Sequence, residues 1–339
     1  MKKTVAVLMV LALAVTSVFA NGTGEGESGA GETYTFKYAH TQSPEHPRSK
    51  SMEFFKEELE RASGGRIQVE LFFGGVLGKE AEVLDMVKLG TVQGSRAGLF
   101  ERADKKFLIY TLPFIFQDSS EVLAVMNGPF GAMINESALA NGLYIPVTGM
   151  AGGFRNITNT VRPIASVEDI RGLKMRTPPI DMTIKTFGAL GANPQQVAYT
   201  ETYMALKTGV VDGQENPFSN TVDMKFYEAQ QYLSIVNWQV HPDPFYVNPE
   251  WYNALPEDLK EIFDAAAKAA MDYSNEIWLG SEMDYLEVLK DNLEVNELSA
   301  DARAGFVEAV KPVWQGYVDE GFFTWDQINE VISIAESAR

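Results

Sequence analysis

The sequence predicts an α/β protein built from two lobes, and three observations support that fold class. Residues 34–39 and 67–72 alternate apolar and polar side chains as strands do, and a segment with helical spacing around Phe55 separates them. A strand, a helix and a strand in that order are typical of a β-α-β unit with a parallel sheet. A second block of this kind begins near Phe154, and the roughly 300 residues beyond the N-terminal segment fit two domains better than one core.

The first block continues in the same pattern. Its first helix should end at Gly64 and Gly65, because consecutive glycines favour the end of a helix. Residues 77–90 then predict a second helix, which Gly90 terminates.

The second block predicts two strands and three helices. Residues 156–162 and 173–176 have strand character, and Ser166 between them can cap a short helix. Helices are expected at 180–190 and 200–208. Because open α/β sheets bind ligands beyond the carboxyl ends of their strands, we expect a ligand cleft between the lobes.

The C-terminal third contains an unusually long helical pattern. Pro256 suits the first turn of a helix, and apolar residues keep helical spacing from there to Leu289. A helix of about thirty residues would extend roughly 45 Å at 1.5 Å per residue, more than one lobe requires. Ordinary amphipathic packing would account for the pattern equally well.

The N-terminus has the features of an export signal. Lys2 and Lys3 precede an apolar run at 5–15, and small residues follow at the positions that a signal peptidase recognises, which predicts cleavage after Ala20. The run is too short to span a membrane stably, although an uncleaved anchor stays an alternative. Residues 21–32 are nearly all small or polar, so we expect a flexible tether there.

Charge and composition exclude several classes of partner. The formal net charge is −18, and loss of the two lysines in the export signal would make it −20. Such a chain is a poor partner for nucleic acid or for an anionic membrane surface. The sequence has no cysteine, and the spacing of His40 and His46 matches no common metal site. We therefore predict neither a metal nor a cofactor.

Two segments carry most of the functional information. Residues 172–179 place Arg176 between a predicted strand and a Pro-Pro turn, and residues 209–217 end in Gln-Glu-Asn-Pro, which contains Asn216. An arginine presents a rigid fork of N–H donors that fits a carboxylate through two hydrogen bonds. Taken alone, Arg176 is better explained as an arginine at a strand end that pairs with one of the many acidic residues of this chain.

Both segments resemble the solute-binding proteins of TRAP (tripartite ATP-independent periplasmic) transporters. The resemblance extends over nearly all of the chain beyond the tether and includes residues 112–116, 153–158, 162–164, 188–194 and 201–206. It implies a two-lobe periplasmic binding protein fold with a ligand cleft between the lobes and a long helix that crosses both. The implied division is 33–152 plus 242–281 for lobe I and 153–241 plus 282–339 for lobe II, with hinges near 152–153 and 241–242.

The resemblance also implies roles for individual residues. Arg176 would hold the substrate carboxylate, with Asn216 beside it, and Arg155 would give a second contact to the ligand. Tyr199 and Trp238 match positions that line the cavity in this family, although either ring could belong to the core. An indole at Trp238 would suit stacking on a sugar ring.

Three further residues are candidates at the rim of the pocket. Glu101 and Glu80 match rim positions of the family, although solvated acidic residues are the commoner case. His46 lies in a loop between two prolines, where either a solvated position or a role in lining the ligand site is expected. None of these residues forms a catalytic motif, and we predict that the protein is not an enzyme.

The predicted function is capture of an organic acid in the periplasm and its delivery, as a monomer, to the membrane permease subunits of a transporter. The leading ligand classes are a sugar acid such as a hexuronate and a C4-dicarboxylate such as succinate or malate, followed by an α-keto or hydroxy acid. Two alternatives stay open. One is an exported lyase or hydrolase acting on acidic sugars, and the other is an extracellular sensor domain for the same ligand.

Overall fold

A computed structural model of the chain describes residues 32–339. The predicted export signal lies outside the described residues, as does the tether except for Glu32. The strands are β1 Tyr34–Ala39, β2 Ile67–Phe72, β3 Gly94–Arg96, β4 Thr148–Met150, β5 Asn156–Asn159, β6 Lys174–Thr177, β7 Asn193–Gln196, β8 Gly213–Asn216, β9 Tyr232–Ile235, β10 Pro242–Val247 and β11 Glu294–Glu297.

The helices are α1 Pro47–Ala62, α2 Glu80–Lys88, α3 Ser119–Asn127, α4 Pro129–Ser137, α5 Val167–Ile170, α6 Asp181–Ala189, α7 Thr202–Lys207, α8 Phe218–Asp223, α9 Pro249–Ala254, α10 Glu257–Lys290, α11 Ala300–Asp319 and α12 Trp325–Ser337. Short 3-10 helices lie at Phe100–Arg102, Lys105–Thr111, Ala138–Asn141, Tyr199–Glu201 and Phe226–Ala229.

The first sheet has the strand order β2-β1-β3-β10-β4. Strands β1 and β2 are parallel and α1 connects them, as the alternating pattern predicts. Phe36 and Tyr38 of β1 are fully buried, whereas Thr35 and Lys37, which alternate with them, are exposed. An aromatic cluster joins this strand to the helices, because Phe36 contacts Phe55 of α1 and Phe263 of α10 edge-on. The first sheet therefore packs against α1 and α10.

The second sheet has the strand order β11-β9-β5-β8-β6-β7. Strand β6 lies parallel to β7 and β8, and β5 runs antiparallel to β8 and β9. Ile170 of α5, Phe187 of α6 and Phe306 of α11 belong to one buried cluster against this sheet. The end of β6 and the end of β8 thus lie side by side in the sheet.

Both sheets are mixed, whereas the sequence predicts a parallel sheet. The chain leaves the first sheet after β4 and returns to it through β10, and the two crossing segments run side by side in opposite directions. The Ala151 N–H donates to the His241 carbonyl at 3.0 Å, and the Arg155 N–H donates to the Gln239 carbonyl at 2.8 Å. Because the chain returns beside the segment by which it left, β10 is antiparallel to β3 and β4.

Helix α10 connects the two sheets as a single 34-residue element. At 1.5 Å per residue it extends about 51 Å. It packs against α1 and β4 of the first sheet and against α8 and β11 of the second. The long helix that the sequence predicts is therefore present, and it spans both lobes. The residue boundaries given for the lobes stay a prediction.

The described residues also bear on membrane insertion. Among residues 32–339, no helix combines the length and the apolar character that a membrane span requires.

Gly213 provides a test of how closely β5 and β8 pack. A Cβ atom at this position would lie 2.3 Å from the Thr158 carbonyl oxygen and 3.1 Å from the Met175 sulfur. Because the first of these atoms belongs to the backbone, Gly213→Ala should lower the free energy of unfolding by about 1–3 kcal/mol, the usual cost of overpacking. Urea denaturation followed by circular dichroism measures this change.

Gly305→Ala is the matched control. A Cβ atom at Gly305 would meet nothing within 4 Å, and the residue lies inside α11. Alanine has the higher helix propensity there, so this variant should gain about 0.5–1 kcal/mol. Equal stability of the two variants would contradict the packing described for β5 and β8.

Candidate functional site

A polar cleft lies between the two sheets. Both sheets contribute to its lining, and so do the two segments that cross between them. The lining residues are Gln42, Arg48, Glu80 and Gly98 from the first lobe, Arg155, Arg176, Pro178, Tyr199, Asn216 and Asn220 from the second, and Ala151 and His241 from the crossing segments. Five of the eight predicted site residues are therefore brought together here.

Arg176 is the third residue of β6 and is only 1% exposed. Its Nε donates to the Val197 carbonyl at 3.0 Å. Within residues 32–339 its two terminal nitrogens make no further hydrogen bond and no ion pair. Burial lowers the pKa of Arg176 to about 10, with Glu215 opposing the shift and Arg155 adding to it. The guanidinium is thus charged at neutral pH and has two nitrogens available for an anion.

Arg155 is compensated by a carboxylate of the protein itself. Its guanidinium forms a bidentate ion pair with Glu215, one bond of which runs from Nη2 to Oε1 at 2.9 Å. The same Nη2 donates to the Glu215 carbonyl at 2.8 Å. Glu215 is fully buried on β8 and Arg155 is 4% exposed. A buried bidentate pair of this kind neutralises Arg155 and holds it beside the ligand site.

A second buried ion pair lies on the opposite side of the cleft. Arg48 of α1 donates from Nε to Asp243 Oδ2 at 3.0 Å, and Arg96 of β3 donates to the same oxygen at 2.5 and 3.1 Å. Asp243 lies on β10 and its Oδ1 is buried without a hydrogen-bond partner among the described residues. Arg48 also donates from Nη1 to Gln42 Oε1 at 3.0 Å. The guanidinium that lines the cleft here is therefore tied to protein groups.

Asn216 and Tyr199 place neutral polar groups next to the arginines. Asn216 Oδ1 accepts a bond from Arg155 at 3.1 Å, and its Nδ2 donates to Gln214 Oε1 at 2.5 Å. The Tyr199 hydroxyl accepts a bond from Asn220 Nδ2 at 3.0 Å, which leaves its own proton free to donate. Burial raises the pKa of Tyr199, so the phenol is neutral.

Glu80 is the acidic residue that lines the cleft. It is the first residue of α2, and its Oε1 accepts a bond from the Gly98 N–H at 3.2 Å. The carboxylate forms no ion pair in the part of the chain that the structure describes, and its Oε2 has no hydrogen-bond partner there. Its charge acts on the pKa values of both Arg48 and Arg176. Glu80 thus presents a free negative oxygen between the two sides of the cleft.

His241 lines the cleft in a defined tautomer. Gln239 donates from Nε2 to the Thr111 carbonyl, so its Oε1 must be the acceptor toward His241 Nε2 at 2.7 Å. Nε2 therefore carries the ring proton, and Nδ1 keeps a free lone pair. Burial, together with Arg155 and Arg176, holds the pKa of His241 well below its usual range. The ring is neutral and can accept a hydrogen bond.

Three predicted site residues do not line the cleft. Trp238 belongs to the core of the second sheet, where its ring meets Phe187 edge-on at 5.3 Å, so the structure provides no stacking surface for a sugar at this position. Glu101 accepts a long bond from the Asp181 N–H at 3.4 Å. His46 caps α1 by accepting the Arg48 N–H at 3.1 Å. Its buried Nε2 has no hydrogen-bond partner among the described residues.

Three side-chain contacts join the lobes around the rim of the cleft. Lys79 pairs with Glu201 at 2.6 Å, and Ser43 donates a short hydrogen bond to Asp223. The bond between Glu101 and α6 is the third. In this arrangement the two lobes touch across the opening of the cleft.

The sequence analysis assigned no site role to Arg48, Gln42, Asn220 or His241. The sequence does contain a signal that points to a buried cation such as Arg48. Asp243 is a lone acid in a segment of six buried residues, and such an acid requires a buried cation as partner. The partner itself could not be identified, because Arg48 and Asp243 are 195 residues apart. No group of three metal-binding side chains is arranged to hold an ion within residues 32–339.

Comparison with known proteins identifies a family. The family model described as bacterial extracellular solute-binding protein, family 7 (DctP), matches residues 38–320. The C4-dicarboxylate-binding periplasmic protein DctP of Rhodobacter capsulatus is 33% identical over 285 residues, which cover 82% of this chain and 84% of that protein. The family resemblance predicted from the sequence motifs is thereby confirmed.

Solved structures with the same fold carry different ligands. The sugar acid binding protein DctPAm of Advenella mimigardefordensis, in complex with galactonate, is 28% identical with a TM-score of 0.86 and covers 91% of this chain and 99% of its own. A TRAP periplasmic solute-binding protein of Sulfurospirillum deleyianum with bound succinate is 27% identical with a TM-score of 0.84, covering 89% and 99%. The predicted two-lobe fold is confirmed by these similarities.

Because of its three buried histidines, the protein should lose stability in acid. Burial is the main cause that holds the pKa values of His40, His46 and His241 well below the ordinary value of 6.5. The unfolded chain therefore binds protons below that pH while the folded protein does not, and folding stability falls as the pH falls. Each histidine should account for about 1.2 kcal/mol between about pH 7 and about pH 5.5.

His40→Gln tests this prediction, because His40 does not line the cleft. His40 interacts with Tyr38 at 2.9 Å and with Ser49 at 2.8 Å. Between the two pH values the free energy of unfolding should change for both proteins. The change should be about 1.2 kcal/mol smaller in the variant than in the wild type. Contributions from carboxyl groups are common to both proteins and cancel. An identical pH dependence would show that folding does not lower the pKa of His40.

Proposed function

The chain belongs to the DctP family of bacterial extracellular solute-binding proteins, the binding proteins of TRAP transporters, and we propose that it holds an organic acid through a carboxylate contact with Arg176. Members of this family bind solutes for transport and are not enzymes. The proposal therefore concerns which residues bind the ligand and how binding leads to delivery.

One observation carries the proposal. Arg176 is a buried cation in the cleft whose terminal nitrogens have no partner among the described residues. A buried charge without a partner is destabilising, and a carboxylate that forms two parallel hydrogen bonds would remove that penalty. Asn216 and Tyr199 lie in the same cleft and can bond the same ligand.

The relatives define the class of ligand that we propose. The Rhodobacter capsulatus protein is a C4-dicarboxylate-binding protein, and the two structures contain galactonate and succinate. All of these ligands are small organic acids with at least one carboxylate. We therefore propose a ligand of the same chemical kind for this chain.

The arrangement of Glu215 does not favour an exported lyase or hydrolase. Such an enzyme would use Glu215 for proton transfer, but that carboxylate is fully buried and engaged by Arg155 in two hydrogen bonds. A group held in a bidentate ion pair is a poor general base. Capture without turnover accounts better for this geometry.

Delivery requires partners outside this chain. We propose that the protein is exported, that the export signal is cleaved after Ala20, and that the mature protein acts as a monomer with the permease subunits of its transporter. The acidic surface and the absence of cysteine are compatible with a freely diffusing carrier.

Closure of the lobes would couple binding to delivery. The cleft has residues of both lobes in its lining, so a ligand that touches both favours the closed arrangement. We place the hinge at the two crossing segments. Gly152 and Gly153 have φ values of +88° and +98°, which only glycine adopts without strain.

The first prediction of this proposal concerns Arg176. Arg176→Ala and Arg176→Lys should each weaken binding of the true ligand by about 2–5 kcal/mol, because an alanine leaves the carboxylate unpaired and a lysine supplies a point charge instead of a fork. Isothermal titration calorimetry measures the loss. Arg171→Ala is the matched control, since Arg171 is an exposed arginine of the same lobe that pairs with Glu168. Wild-type affinity in both Arg176 variants would reject the assignment.

The second prediction concerns closure. Saturating ligand should reduce the radius of gyration measured by small-angle X-ray scattering, because the closed state has the higher affinity and gains population. In Arg176→Ala the same ligand concentration should leave the scattering curve unchanged. A wild-type curve that does not respond to a ligand bound in calorimetry would exclude closure while leaving binding intact.

A further inference from the structure

We propose that the cleft selects monocarboxylates that carry several hydroxyl groups, the chemistry of aldonates and uronates, over dicarboxylates. The inference rests on the proposed carboxylate contact of Arg176 and extends it to the rest of the ligand. Four features of the cleft support it: the number of unpaired cations, the position of Glu80, the hydrogen-bonding state of His241, and the absence of large apolar side chains from the lining.

The cleft offers one cation that is not already paired. Arg155 is bound to Glu215. Arg48 shares Asp243 with Arg96 and has the charge of Glu80 nearby, so two carboxylates of the protein compensate these two arginines. Arg176 has no carboxylate partner in the described chain. A ligand with one carboxylate therefore satisfies Arg176, whereas a second carboxylate would have to compete with Asp243 and Glu80 for Arg48.

Glu80 makes the remainder of the cleft unfavourable for a second negative charge. Its free Oε2 has no cation of the described chain at ion-pair distance. The negative charge of Glu80 nevertheless acts to raise the pKa values of both Arg48 and Arg176. A ligand carboxylate next to it would meet like charge in a partly desolvated site. A ligand hydroxyl, in contrast, can donate a hydrogen bond to the same oxygen.

His241 and Tyr199 extend this preference for hydroxyl groups. The neutral ring of His241 has a free acceptor at Nδ1, because Gln239 fixes the proton on Nε2. An acceptor of this kind binds a hydroxyl and cannot bond an ionised carboxylate. Tyr199 has a proton to donate after it accepts a bond from Asn220. Gln42 and Asn220 add neutral amides to the lining. An amide can donate a hydrogen bond to a ligand hydroxyl or accept one from it.

The lining also lacks a surface for a hydrocarbon chain. Among the twelve residues around the cleft, none is a leucine, isoleucine, valine, methionine, phenylalanine or tryptophan. The methylene groups of a simple dicarboxylate would therefore gain little from burial here. Carbon atoms that carry hydroxyl groups match the polar lining better.

A matched panel of acids tests this selectivity on the wild-type protein. The panel holds carbon number constant and varies the charge and the hydroxyl groups: galactonate, galactarate, adipate and hexanoate with six carbons, and erythronate, tartrate, succinate and butyrate with four, with galacturonate added as the cyclic form. We expect at least one hydroxylated monocarboxylate to bind at least about tenfold more tightly than its matched dicarboxylate and its matched unsubstituted acid. Thermal shift ranks the acids and calorimetry gives the affinities.

The variant Glu80→Gln tests whether the charge of Glu80 causes the selectivity. Glutamine keeps the size and the acceptor oxygen but removes the charge, so the discrimination between the best monocarboxylate and its matched dicarboxylate should fall by about tenfold or more. Glu82→Gln is the matched control, because Glu82 lies on the same helix and bonds the N-cap residue outside the cleft. The unliganded melting temperatures of both variants report whether the helix is intact.

The outcomes separate this inference from the proposed function. If succinate, adipate or another dicarboxylate binds as tightly as every hydroxylated monocarboxylate, and Arg176→Ala abolishes that binding, the carboxylate contact stands and the selectivity is overturned. If the wild type shows the selectivity but Glu80→Gln retains it in full, Glu80 is not its cause and this part is overturned. If no acid of the panel binds, both proposals fail.

Discussion

The structure depends on the distribution of buried charge between its two lobes. The pair of Arg155 with Glu215 and the shared pairing of Arg48 and Arg96 with Asp243 hold three buried arginines against two carboxylates, and Glu80 adds a negative charge near Arg48. Each pair connects segments that are distant in sequence, so the fold must form before the charges meet. Because these arginines have carboxylate partners, the remaining buried arginine of the cleft is the one that we propose a ligand neutralises. The proposed binding site is thus defined by the arginine that the ion pairs leave unpaired.

The same pairs connect the ligand site to the moving parts of the fold. Asp243 lies in β10, directly after the second crossing segment, and Arg155 lies at the end of the first. The two crossing segments and helix α10 all connect the sheets, so a change in the angle between the lobes would involve each of them. Arg155 and Asp243, which belong to the ion pairs beside the proposed ligand site, therefore lie next to backbone that would bend.

The sequence predicted the elements well where the pattern is local. Strands β1 and β2 have the predicted bounds because alternation is read directly from neighbouring residues. The direction of β10 could not be predicted, since it depends on where the chain returns. For the site, the family motifs located Arg176, but they give no information on burial. Trp238 and His46 have suitable chemistry near the cleft, and packing decides that the first belongs to the core and the second to a helix cap.

The contacts across the opening bear on how much the ligand would contribute to the proposed closure. The ion pair of Lys79 with Glu201 is about half exposed on both sides, and exposed pairs add little to stability. The bond from Asp181 to Glu101 is long at 3.4 Å. These two contacts add little to holding the lobes together, whereas a carboxylate bound to Arg176, as we propose, would remove the penalty of an isolated buried charge. Binding of the anion would therefore favour the closed arrangement.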